Sequence, residues 1–384
     1  MPLQKSNSVR PRLGFVVHVM QVAGAEMLVT RLIERLRNKV EPTIFCLDSL
    51  GILGQKMLDA GIPVVVLGRA PGIDSALPRR FAKELHRRGI EILHAHQYTP
   101  FFYSAMAKLY GAWGVKIIFT EHGRHYPDHV SWKRRLTNRW LLSRLCFARN
   151  ACCDFSARAT EINDGFHRVD TIANGVDLTA LTPLGTARER EQLRGRLGLD
   201  IDRLYVVCVA RFHPVKDHAM LLRGWRIVQD RVPGARLLLI GDGSERERMV
   251  ALAEKLGIID SVQFWGVRHD VADLLRAVDV FTLTSETEAS SLTLLEAMAC
   301  ECPAVITDVG GNGEHVTDGV EGWLVPRGDH ITLAERLIRA LECPELRNKM
   351  ASAARRRVER QFSLEDTVAK YEELYRLAAR VQSR

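Results

Sequence analysis

The sequence predicts an α/β protein built as two doubly wound, helix-covered parallel sheets. Three observations carry this. Short apolar runs alternate with helical patterns along most of the chain. The alternation stops once, over a charged stretch at 181–200 that holds Pro183, Gly185, Gly195 and Gly198, and then restarts. The length, 384 residues, suits two domains of roughly 100–200 residues each. The expected division is a first domain over 1–180, a linker over 181–200, a second domain over 201–361 and a last helix over 362–384.

Each element follows from its local pattern. The apolar run 13–19 reads as a buried first strand: it is short, contains His18, and leads to a glycine turn rather than a cleavage site. A helix over 25–38 follows, then strands at 43–47 and 64–67. A helix over 78–88 precedes strands at 90–94 and 116–120. After the linker come strand 205–210, helix 217–231, strand 236–240, helix 244–256 and strand 262–265. Helix 271–277, strand 280–283, helix 291–300 and strand 304–307 complete the second series. The tail opens at Ser363, a predicted N-cap with Asp366 three residues on. In sheets of this kind ligands sit at the carboxyl ends of the strands.

Composition excludes several classes. No apolar run approaches the ~20 residues of a membrane-spanning helix. Eight scattered cysteines without a Cys-x-x-Cys pair read as reduced thiols of a cytoplasmic protein. Thirteen histidines lack metal-ligand spacing, so no metal is expected. Charge is uneven: residues 1–180 carry 25 Lys+Arg against 15 Asp+Glu, and the remainder 29 against 31. The basic first half suits an anionic neighbour, or merely solubility.

Four stretches at strand ends can carry chemistry. In Ser285-Glu-Thr-Glu-Ala-Ser-Ser-Leu292 a helix is expected to start at a serine cap. That places Glu288 in the preceding loop and Glu296 on the helix. The exposed N–H groups between them would form an anion site. Read alone, the two glutamates are equally two acids flanking a core helix. Ala210-Arg-Phe-His-Pro-Val-Lys-Asp217 offers Arg211 and Lys216 at a strand end, cations suited to a diphosphate, ahead of a helix capped by Asp217. Gly24, between the first strand and helix, allows close backbone approach. Thr120-Glu-His-Gly-Arg-His125 holds His122 beside a glycine, where it can exchange a proton or serve structure alone. His96 in Leu93-His-Ala-His96 is a weaker case of the same kind. No G-x-G-x-x-G fingerprint is present, which disfavours a dinucleotide-dependent dehydrogenase.

Together these stretches resemble family 4 of the glycosyltransferases, retaining enzymes of the GT-B fold that use nucleotide sugars. The resemblance runs from the Gly24 turn through His122, Ile172-Ala-Asn-Gly-Val-Asp177 and Arg211/Lys216 to the final helix, and is strongest over 205–328. Its most specific mark is the Glu288 to Glu296 spacing followed by Ala-Met-Ala. Thr307-Asp-Val-Gly-Gly311 and Asp318-Gly-Val-Glu-Gly-Trp-Leu-Val-Pro326 fit as well. The resemblance implies that Arg211 and Lys216 hold a donor's pyrophosphate. It implies that Glu296 contacts the ribose, Glu288 the transferred sugar, and the backbone of Ser290, Ser291 and Leu292 a phosphate. It gives Gly24 a place near the same phosphates and His122 one by the reacting sugar, and it brings the last helix back to the first domain. No metal is then required, because cations and a helix N-terminus supply the charge. The chain departs from the family at Ala289-Ser290-Ser291, where many relatives have Gly-Phe-Gly, and at Ala23-Gly24, where Gly-Gly is common.

The segment 131–149 contains six Lys+Arg and no acid, with Trp132, Leu136 and Trp140 at four-residue spacing. It reads as a helix on an anionic membrane surface near a lipid-linked acceptor, or equally as a helix with a core-facing stripe. A peripheral position on the inner face of a membrane follows from the first reading. Alternatives are a sugar-nucleotide epimerase of the same fold, a glycosidase, which has no use for a diphosphate clamp, and a nucleic-acid-binding protein. No aromatic-interleaved recognition motif supports the last, so a nucleic-acid partner is not expected.

Overall fold

The structure is a computed structural model that describes residues 10–123 and 130–380. His125, and residues 381–384 of the last helix expected from sequence, lie outside the described residues. The chain forms two compact units. The first runs to Ala173 and takes in the chain again from Thr367; the second spans Asn174–Asp366.

The first unit carries strands β1 (Arg12–Val19), β2 (Glu41–Ser49), β3 (Val64–Val66), β4 (Ile92–His96), β5 (Lys116–Glu121), β6 (Cys146–Ala151) and β7 (Asp170–Thr171). They form one parallel sheet in the order β3-β2-β1-β4-β5-β6-β7. The second unit carries β8 (Tyr205–Val209), β9 (Arg236–Ile240), β10 (Val262–Gly266), β11 (Val280–Leu283), β12 (Ala304–Thr307) and β13 (Gly322–Val325). These too are all parallel, in the order β10-β9-β8-β11-β12-β13. Helices cover both faces, so central strands are buried on both sides. Their sequences are therefore continuous apolar runs rather than alternating ones, as in β1, where Leu13, Phe15, Val16 and Val17 are all buried. In each sheet the strand order reverses once, beside β1 and β4 in the first and beside β8 and β11 in the second. The loops leaving those strands are the places where such sheets bind ligands.

The last helix, Leu364–Arg380, does return to the first unit. Its N-cap is Ser363, whose Oγ accepts the Asp366 N–H at 3.0 Å. Thr367 then donates to the Ala173 carbonyl at 2.9 Å. Tyr371 and Tyr375 are fully buried. Burial of an aromatic side chain contributes about 1.5–3 kcal/mol, provided its hydroxyl is satisfied. The Tyr375 hydroxyl lies 2.7 Å from His94 Nδ1, and the Tyr371 hydroxyl donates to Asn150 Oδ1 at 3.2 Å.

The stretch 181–200 differs from the linker expected of it. It contains a helix, Ala187–Leu197, opened by a capping box between Thr186 and Glu189 and closed by Gly198 in a left-handed conformation. Two of its charges are turned inward: Arg190 and Arg194 both reach buried Asp279, at 2.9 and 2.8 Å. The helix belongs to the second unit for that reason.

Candidate functional site

The second unit's site is built on the two strands that border its order reversal. After β8 the chain is tied down by backbone bonds, Ala210 N–H to the Ile240 carbonyl and Phe212 N–H to the Asp242 carbonyl, each 3.0 Å. It then makes one 3-10 turn, Pro214–Lys216. Asp217, at a φ of 39°, starts the helix His218–Arg231 and caps it by accepting the Met220 N–H at 3.0 Å. The end of β11 clasps this turn. Thr284 Oγ1 donates to the carbonyls of Lys216 and Asp217 at 3.1 and 2.9 Å, and the Glu286 N–H to that of Val215 at 2.8 Å.

The clasp brings Lys216 onto Glu288. Lys216 Nζ forms an ion pair with Glu288 Oε1, and Ser285 Oγ donates to the same oxygen at 2.7 Å. The two side chains are only 19% and 10% exposed, so the pair is weakly screened and well fixed. A lysine ammonium has three donors. One is taken here, and no other partner of the ammonium is present among the described residues. Glu288 Oε2 has no protein partner among the described residues. Arg211, on the same loop, is exposed and carries no acid among the described residues. The two cations expected at this strand end thus differ in setting: the Lys216 charge is already oriented by a carboxylate, which the sequence did not show.

The helix Leu292–Ala299 starts where the sequence placed it. Ser291 is its N-cap, accepting the Leu294 N–H at 3.3 Å, which leaves the N–H groups of the first turn open by helix geometry. Thr293 Oγ1 donates to the Val209 carbonyl at 3.3 Å, fixing the helix start against the end of β8. Among the described residues Ser290 Oγ is buried without a partner, as is Asn174 Oδ1, whose side-chain amide donates to the Ser290 carbonyl at 3.4 Å. Unpartnered buried polar atoms are rare, and here they flank a helix N-terminus. Glu296 stands half-buried further along the helix.

Gly310 completes the loop and was not singled out from sequence. At a φ of 56° it packs so closely that a Cβ there would lie 1.7 Å from the Glu288 carbonyl oxygen, and Gly311 N–H donates to that oxygen at 3.1 Å. Gly310→Ala is therefore expected to displace the Glu288 backbone. The cost should be about 1–3 kcal/mol, read as a lowered thermal midpoint.

The first unit's candidates gather differently. His122 follows β5 and His96 ends β4, and His96 Nδ1 lies 2.8 Å from His122 Nε2. His94, on the same strand as His96, contacts Thr120 Oγ1 at 2.7 Å. Burial pushes the His122 pKa down to about 4 and holds those of His94 and His96 well below the usual value, so all three are neutral at pH 7. Of two neutral imidazoles one must donate. Among the described residues His96 Nε2 is buried without a partner, and an orphaned lone pair costs less than an orphaned N–H. The favoured arrangement has His96 Nδ1–H donating to His122 Nε2, which puts the His122 proton on Nδ1. His122 is then a neutral hydrogen-bond donor rather than a cationic acid. Gly24 is exposed as the first residue of the helix Gly24–Leu36, whose cap position, Ala23, has no side chain able to accept a hydrogen bond. Among the described residues no group of three or more His, Cys, Asp or Glu is placed to hold a metal ion.

Comparison with known proteins gives concordant matches. The model of "Glycosyl transferases group 1" matches residues 189–357, and that of "Glycosyltransferase Family 4" matches 22–180. The chain is 30% identical over 308 residues to N-acetyl-alpha-D-glucosaminyl L-malate synthase of Bacillus anthracis, covering 79% of each chain. Its fold superposes on a glycosyltransferase from Rickettsia africae with a TM-score of 0.84 at 19% identity, covering 96% of this chain and 99% of the other. It superposes on Anabaena Alr3699/HepE, solved in complex with UDP-glucose, with a TM-score of 0.83 at 22% identity over 95% and 99%.

Proposed function

The chain belongs to the group 1, family 4 glycosyltransferases and has the GT-B fold, and we propose that it moves a sugar from a nucleoside-diphosphate sugar to an acceptor hydroxyl with retention, as a hexosyltransferase of polysaccharide or glycolipid assembly. The observation that carries the reading is the Lys216–Glu288 pair, fixed beside the strand-order reversal with donors and an acceptor to spare.

In this reading the two free N–H groups of Lys216 and the fork of Arg211 hold the diphosphate, whose negative charge grows as it leaves. The N–H groups at Ser290, Ser291 and Leu292 add the helix N-terminus, with Ser290 Oγ available as a further donor. Glu288 Oε2 accepts from hydroxyls of the transferred sugar, and Glu296 from the ribose. These groups supply the positive charge, so the reaction is proposed to run without a metal. No protein nucleophile is assigned: the acceptor attacks on the leaving-group side of an oxocarbenium-like sugar. The family resemblance adds His122 beside the reacting sugar, as a neutral donor, and Gly24 at the diphosphate. The UDP-glucose complex of the Anabaena protein makes a UDP-sugar the first donor to try.

A thermal-shift panel of nucleoside diphosphates and their sugars, with chelator present, tests the reading. One nucleotide is expected to raise the midpoint selectively, since ligand at 100 times its Kd stabilises by about 2.7 kcal/mol. Glu296→Ala should abolish that rise. A folded protein that responds to none of them would overturn the donor site.

A further inference from the structure

The transfer chemistry does not use the basic segment after residue 130, whose stripe the sequence left undecided between the core and a surface. The segment is a helix, Trp132–Thr137, continued by a π-helical stretch, Asn138–Leu142. One face is bound to the protein. Arg134 pairs with buried Asp164 at 3.1 Å and stacks over the Tyr98 ring. Asn138 donates to the Asp164 carbonyl and accepts from the Tyr98 hydroxyl, both at 2.8 Å, and Leu142 is buried. The tryptophan stripe lies on the other face: Trp132 is 70% exposed, Leu136 52% and Trp140 57%. In an unbroken α-helix each step of four residues drifts by about 40°, so Trp140 would stand roughly 80° round from Trp132. The wider turns of the π-helical stretch offset part of that drift and keep the stripe aligned. Lys133, Arg135, Arg139 and Arg144 are exposed and have no acid partner among the described residues.

We propose that this face, Trp132, Leu136 and Trp140 flanked by Lys133, Arg135 and Arg139, docks the protein on an anionic lipid bilayer. The inner face fixes the helix, so the outer face presents its apolar side chains already ordered. Tryptophan rings suit the depth of lipid headgroups. A helix with an apolar stripe and a basic flank lies in the plane of an anionic surface. A protein partner also favours Trp and Arg, but the lack of any acid between 131 and 149 and the basic excess of residues 1–180 favour a uniformly anionic partner. The inference is independent of the donor site.

Vesicle co-sedimentation of the full chain tests it, with phosphatidylcholine alone and with phosphatidylglycerol added. Binding is expected only with the anionic lipid, with a blue-shifted tryptophan emission, and should weaken as salt is raised. Arg135→Gln/Arg139→Gln should weaken binding about tenfold or more. Trp132→Ala/Trp140→Ala should lower it by a similar factor, about tenfold. Glutamine keeps the Arg135 Cγ that lies against Gly165, and both tryptophans are more than half exposed, so thermal unfolding should change little in either variant. Equal binding to neutral vesicles, or wild-type binding by the double tryptophan variant, would overturn the proposal. So would self-association seen by light scattering, lost in that variant, without vesicle binding; a second copy would then be the occupant.

Discussion

Lys216→Ala is expected to slow sugar transfer by about 10²–10³-fold, the range found when one preorganised donor is removed from a developing negative charge. The effect should fall on kcat, because the leaving diphosphate gains charge in the transition state. Lys216 also neutralises Glu288, so the alanine variant leaves a carboxylate only 10% exposed with Ser285 as its remaining partner. Loss of activity alone would therefore not separate chemistry from structure. The double variant Lys216→Met/Glu288→Gln removes both charges and leaves neither uncompensated. Its thermal midpoint should recover toward that of the wild type while its rate does not. Rate and stability recovering together would mean that Lys216 only holds the loop. Steady-state kinetics with the nucleotide sugar chosen by thermal shift, beside calorimetry, reads both quantities.

The parts of this site legible in the sequence are those set by near neighbours. The ends of the strands before Arg211 and Ser285, a serine cap ahead of Leu292 and the Asp217 cap each depend on a few consecutive residues, and the structure has them at or within a residue of where the pattern put them, whereas β4 runs to His96, two residues past its expected end. What was not legible joins residues far apart. Lys216 and Glu288 stand 72 positions apart, and nothing in either stretch announces that the turn after β8 is clasped by the end of β11. His122 looked solitary because its partner, His96, ends a different strand. Gly310 reads as one more turn glycine until the Glu288 carbonyl is seen against it. The tryptophan stripe was ambiguous for another reason. Residues 132, 136 and 140 and residues 134, 138 and 142 repeat at the same spacing, so periodicity shows two faces and cannot say which one is turned inward. β6, β7 and β13 escaped detection: β6 is Cys146–Ala151, so the basic helix expected over 131–149 gives way to a strand at its end, β7 has two residues, and β13 begins at a glycine.

The helix within 181–200 yields the second large effect, on stability. Asp279 is 4% exposed and precedes β11. It accepts from Arg190 at 2.9 Å, from Arg194 at 2.8 Å and from the Tyr205 N–H at 2.8 Å, with Arg347 3.8 Å away. Removing one partner of a buried charge cluster typically costs about 3–5 kcal/mol, because the charges left behind are uncompensated. Asp279→Ala is expected to destabilise the second unit by that amount, seen as a lower urea midpoint by circular dichroism. Arg194→Ala discriminates more sharply. In a linker, such a substitution would lie within about 0.5 kcal/mol of neutral. Here the Arg194 guanidinium also donates to the carbonyls of Ala277, Ile201 and Arg203 at 2.8, 3.0 and 3.0 Å, which its loss would leave short of donors. A substantial drop is expected, and smaller for Arg190, whose side chain is 34% exposed against 8% for Arg194. Asp279 lies at the opposite end of β11 from Ser285 and Glu288, so the folded fraction of each variant should bind nucleotide as the wild type does. Unchanged stability in both Arg194→Ala and Asp279→Ala would return 181–200 to the linker its composition suggested.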